Sequence, residues 1–113
     1  MSTNNDEIEN ATLPVEDKYV LTIQSADLGR LRITAGTLTE ATENSRKPWR
    51  KFRGIKIHYY IPPHGKRVKL YKYVAEENDA DGLERRIRLL ENIQEQGKMI
   101  SSEKLKELLD NVS

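Results

Sequence analysis

Between Ile55 and Ile61 the apolar residues take every second position: Ile55, Ile57, Tyr59 and Ile61 alternate with Lys56, His58 and Tyr60. A helix buries residues three and four apart, so a period of two fits only an extended strand with one covered face. Pro62-Pro63-His64-Gly65 follows, with Gly65 suited to the left-handed residue of a bulged hairpin turn. The return run Arg67–Val74 sets Val68, Leu70 and Val74 against Lys69, Tyr71 and Tyr73. The segment reads as a β-hairpin. Lys72 breaks its apolar parity, near a strand end where the aliphatic stem can snorkel.

Shorter signals place the other elements around that hairpin. Tyr19–Gln24 alternates as a strand, and Gly29–Ala35 puts Leu31 and Ile33 opposite Arg30, Arg32 and Thr34. The polar stretch 36–48 is expected to be a loop, long for a compact domain. Asp81-Gly82-Leu83-Glu84 has the form of a helix capping box, and Leu83, Ile87 and Leu90 continue at helical spacing up to a stop at Gly97. A second helix is expected from Ser101, with Ile100 and Leu105 as a hydrophobic staple and Leu105, Leu108, Leu109 and Val112 as its apolar stripe. Strands before helices argue for the α+β class: a small antiparallel sheet of three to four strands followed by two C-terminal helices. Residues 1–17 are expected to be a disordered acidic tail, 18–97 the sheet-plus-helix domain, and 98–113 a C-terminal helix that packs on the domain or mediates a homodimer. Leu, Ile, Val and Phe make up 27 of 113 residues, enough for a small core.

A net charge of +1 conceals strong segregation. Residues 1–17 hold Asp6, Glu7, Glu9, Glu16 and Asp17 and no base. Residues 45–73 hold Arg46, Lys47, Arg50, Lys51, Arg53, Lys56, Lys66, Arg67, Lys69 and Lys72 and no acid. Trp49, Phe52, Tyr59, Tyr60, Tyr71 and Tyr73 fall in the same block. Such a block is an electrostatic footprint for a polyanion. Period-two parity collects Arg30, Arg32, Lys56, His58, Tyr60, Arg67, Lys69, Tyr71 and Tyr73 on the outer side of the sheet, with no acid among them. Bases neutralise phosphates and flat rings stack on nucleobases, so this face is the candidate nucleic-acid platform. Arg50, Lys51 and Arg53 would extend it as a basic arm, while Trp49 is expected in the core. The same outer face could instead be covered by the 36–48 stretch.

Other chemistries find little support. Cysteine is absent, which removes disulfides, thiolate metal sites and cysteine nucleophiles. His58 and His64 have no acid nearby in sequence to orient them or share a metal, and no glycine-rich phosphate loop or nucleophile elbow occurs. A non-enzymatic role without metal or cofactor is therefore expected. No apolar run is long enough to span a bilayer, and the polar start has no signal-peptide form, so a soluble, cytoplasmic protein without membrane partners is expected.

The strand-then-helix order over residues 29–97, with its basic outer face, resembles in layout the sheet-type DNA-binding domains at the N-termini of some tyrosine integrases. The stretch Leu90–Leu109 resembles the short helical-hairpin modules that end many bacterial proteins. The expected partner is nucleic acid, DNA before RNA, because a two- or three-stranded ribbon fits the major groove. The alternative is an adaptor whose basic block docks on an acidic protein and whose C-terminal helices join a partner helix.

Overall fold

The computed structural model describes residues 18–41 and 49–112, so the tail expected at 1–17 lies outside the described residues. Strands β1 (Lys18–Ser25), β2 (Gly29–Ala41), β3 (Trp49–Ile61) and β4 (Lys66–Val74) form one antiparallel sheet in chain order. Helices α1 (Ala80–Gln96) and α2 (Ser102–Asp110) follow. The class is α+β, a four-stranded antiparallel sheet succeeded by two helices. Among the described residues no helix is long and apolar enough to cross a membrane.

Alternation fixes which side chains meet the helices. Ile23 of β1, Leu31 and Ile33 of β2 and Ile55 and Ile57 of β3 join Leu83, Ile87 and Leu90 of α1 and Leu105 and Leu109 of α2 in one core. Burying each such side chain contributes about 1.5–3 kcal/mol. Leu105 and Leu109 of the α2 stripe are thus covered within the chain, while Leu108 and Val112 are half-buried outside this core. Ser101 caps α2 by accepting from the Lys104 N–H at 3.1 Å, and α1 ends at Gly97 with φ +69°.

Polar clamps fasten α2 to the opposite end of the sheet. Asp27, in the β1–β2 turn, accepts from the Ser102 N–H at 2.9 Å, the Ser102 hydroxyl at 2.6 Å and the Ser25 hydroxyl at 2.6 Å. Those donors, Ser102 foremost, hold its carboxyl far below the usual aspartate range. The Ile100 N–H donates to the Gln24 carbonyl, and the Ala26 N–H donates to the Ile100 carbonyl.

Three local expectations are corrected. The cap of α1 is Asp79, two residues before the expected Asp81. Its carboxylate accepts from the Gly82 N–H at 3.2 Å and from the Tyr73 hydroxyl at 2.6 Å, and the second bond comes from β4, out of reach of a local reading. Next, the 36–48 stretch is not all loop: β2 continues to Ala41 and pairs with β3 from Trp49, while residues 42–48 lie outside the described residues. Finally, β4 carries a bulge. Ile57 faces Tyr71 but His58 faces Lys69, leaving Leu70 extra. One extra residue inverts the alternation beyond it. Tyr71 and Tyr73, expected on the outer face, therefore lie on the helix side, while Lys72 and Val74 turn outward.

On the helix side the two tyrosines surround a cation. The Arg86 guanidinium of α1 lies 4.0 Å from the centre of the Tyr73 ring, its Nε donates to the Leu109 carbonyl at 2.9 Å and its Nη1 to the Gly82 carbonyl at 3.1 Å. Tyr71 donates to Asp110 at 3.2 Å. Burial and these carboxylate partners push both phenols above their usual range. The cluster joins β4, α1 and the C-terminal end of α2, where a cation suits the helix dipole.

Candidate nucleic-acid interface

The register lays the outer face out in rows across the strands. Thr22, Arg32, His58 and Lys69 are successive cross-strand partners, as are Val20, Thr34, Lys56 and Lys72. In a further row Arg30 faces Gln24 and Arg67 faces Tyr60. Of the residues expected to form the site, Arg30, Arg32, Lys56, Tyr60, Arg67 and Lys69 come together here, with Tyr60 about half exposed. Tyr71 and Tyr73 do not join them, for the reason given above.

Beyond Gly36 of β2 and Gly54 of β3 the sheet, among the described residues, narrows to two strands, because β1 and β4 pair there no further than those residues. This narrow part is a β-ribbon. The two glycines face each other at its base. Gly36 has φ +119°, a region that side chains rarely enter, and a Cβ on Gly54 would come 1.9 Å from the Tyr73 carbonyl oxygen.

The ribbon does not continue straight. Glu40 faces Arg50, six residues along β3 from Lys56. Six extended residues cover roughly 20 Å, beyond the combined reach of a glutamate and a lysine. Yet Glu40 Oε1 lies 3.5 Å from Lys56 Nζ, and Oε2 pairs with Lys72. The ribbon must therefore bend toward the outer face. The Phe52 ring sits 4.7 Å from Lys72 Nζ and 5.8 Å from Lys56 Nζ, and Phe52 and Leu38, opposite each other on the ribbon, are buried. Sequence parity misses Glu40 and Leu38, which lie in the stretch expected to be loop, and gives Phe52 in the expected arm no face; it expects an outer face with no acid. The Lys72 hydrogen bond holds the Glu40 carboxyl below its usual range, so this acid is charged at neutral pH.

The arm residues divide. Arg50 lies on the outer side of the ribbon by its pairing with Glu40. Lys51 and Arg53 have the opposite parity, and Arg53 Nη1 lies 3.5 Å from Thr37 Oγ1. Trp49, expected in the core, is 64% exposed at the far end of the ribbon.

Two depressions share Arg32, His58 and Arg67. One of about 480 Å³ is completed by Arg30, Tyr59 and Tyr60. The other, of about 280 Å³, runs under the bent ribbon and reaches Thr37, Leu38 and Thr39. Partial burial, then the charges of Lys56, Arg67 and Lys69, lower the His58 pKa and favour its neutral form. A cavity of about 390 Å³ on the helix side is bordered by Glu84 and Glu91 as well as Arg53 and Arg88, so it does not extend the basic surface. Among the described residues no group of three or more His, Cys, Asp and Glu is placed to hold a metal. No protein-family model, curated protein or solved structure matches the chain.

Proposed function

We propose that this chain is a non-enzymatic nucleic-acid-binding protein that grips phosphates with the outer face of its sheet. One observation carries the reading. Arg30, Arg32, Arg67 and Lys69 stand together on that face, and none has a hydrogen-bonded or ion-paired partner among the described residues. Arg30 and Arg32 stand two residues apart on one face of β2, and Arg67 and Lys69 two apart on the same face of β4, so each pair of like charges repels at roughly 7 Å and folding alone gives no reason to gather them. Tyr60 adds an exposed ring for stacking beside them. The ribbon, with Arg50, Lys51 and Trp49 near its end, favours DNA, because a two-stranded ribbon fits the major groove.

Salt dependence tests this. Four phosphate contacts should make log K fall against log salt with a slope of roughly −3 to −4 on duplex and about −3 on single strands. Charge reversal at Arg67 and Lys69 should abolish measurable binding at moderate salt, while reversal at Lys104 and Lys106 on α2 should leave it intact. If the Arg67 and Lys69 reversal left affinity and slope untouched, the face would not be the interface, and docking on an acidic protein would be the better reading.

A further inference from the structure

The outer face already holds one anion, and it belongs to the chain itself. Lys56 and Lys72 are directly opposed like charges, and the Glu40 carboxylate lies between them. The adjoining row sets Arg32 and Lys69 on either side of His58, and Arg67 borders both depressions. No acid among the described residues pairs with Arg32, Arg67 or Lys69.

We propose that the Arg32–His58–Arg67 cleft is a phosphate seat, taking one phosphate group of a bound strand with His58 in its protonated form. This deepens the nucleic-acid reading and rests on it for the source of the phosphate. The chemistry follows from what surrounds the imidazole. Arg32 and Glu40 face it from β2, Lys56 and Tyr60 from its own strand, and Arg67 and Lys69 from β4. Of these only Glu40 favours a protonated ring, and Glu40 is engaged by two lysines. The free cleft therefore keeps His58 neutral, in line with its lowered pKa. A phosphate dianion or diester entering between the guanidinium groups reverses the local field. It offsets the repulsion from the cations and accepts a hydrogen bond from the second ring N–H that protonation creates. Binding at this seat takes up a proton from solvent, so affinity rises as pH falls through the His58 titration.

The test follows the His58 ring protons by NMR across pH 5 to 9, with the His64 signal in the same spectra marking any unspecific ionic effect. The probes are pyrophosphate and, separately, a short DNA oligonucleotide offered both as duplex and as single strand. Either should raise the His58 midpoint by about one unit, equivalent to a roughly tenfold tightening from high to low pH. Arg32→Gln with Arg67→Gln should remove the shift. His58→Gln should flatten the pH dependence of binding. If the oligonucleotide binds with the expected salt slope but neither probe moves His58, the seat is overturned and the nucleic-acid reading stands. A response to pyrophosphate without oligonucleotide binding keeps the seat and removes the nucleic-acid reading. If neither probe binds at low salt, both fall.

Discussion

Arg86 and Arg32 each present a guanidinium beside a ring, on opposite sides of the same sheet. Arg86 is buried against Tyr73 and donates to the carbonyls of Leu109 and Gly82. Arg32 is exposed, faces His58 across the strands and has no partner among the described residues. The helix side uses its charges to close the fold: Asp27 on Ser102, Asp79 on Tyr73 and on the start of α1, Asp110 on Tyr71. The outer side gathers cations, and among the described residues two of them, Lys56 and Lys72, are ion-paired, both through Glu40. A partnered cation in a dry site is part of the structure; an unpartnered cluster in a sheet is a cost that a ligand can offset.

That contrast breaks most severely if β3 and β4 lose their register, since the register decides which side Tyr71 and Tyr73 fall on. Gly54→Ala puts a methyl group against the Tyr73 carbonyl and should lower stability by about 3 kcal/mol, read by urea unfolding. Arg86→Met should cost about 2 kcal/mol, because the Leu109 carbonyl is left unpaired, with no change in the salt slope of binding. The mirror experiment is the Arg32→Gln, Arg67→Gln pair. Its stability should stay within about 0.5 kcal/mol of the parent while the slope becomes less steep by nearly two units. A pair that destabilised as much as Arg86→Met would erase the distinction between the faces.

Acidity probes the helix side further. Asp27 and Asp79, with Glu40 on the outer face, titrate below their ordinary values of 3.8 and 4.5 in the fold. Their contribution is present above those values and is lost as pH falls through the lower folded ones. Thermal melting should therefore hold steady from neutral pH to about 5 and weaken below about 4. Asp27→Asn should blunt that acid limb. The phenols of Tyr71 and Tyr73 titrate above their ordinary value of 10.0, so their contribution is lost as pH rises past it. The smallest effect is expected from Glu40→Gln. It frees Lys56 and Lys72 and should steepen the salt slope by about one unit, with a small fall in the melting midpoint because the two lysines are left opposed.

The period-two runs in β1 to β4, the helical spacing of Leu83, Ile87 and Leu90, the Ser101 cap and the Gly97 stop are local properties, and they determined the α+β class and the inward set Leu31, Ile33, Ile55 and Ile57. The same parity placed Arg30, Arg32, Lys56, Tyr60, Arg67 and Lys69 on one face, because each lies on a strand segment whose alternation is unbroken. Three things required the tertiary structure. The bulge at Leu70 moved Tyr71 and Tyr73 inward, and its one trace in the sequence was the off-parity Lys72. A strand partner turned a polar stretch with threonines at 37 and 39 into ribbon, since strand pairing depends on residues distant in sequence. The bend of that ribbon brought Glu40 to Lys56 and Lys72. Alternation tells a side chain which face it takes; only the paired and folded sheet decides which charge on that face already has its counter-ion.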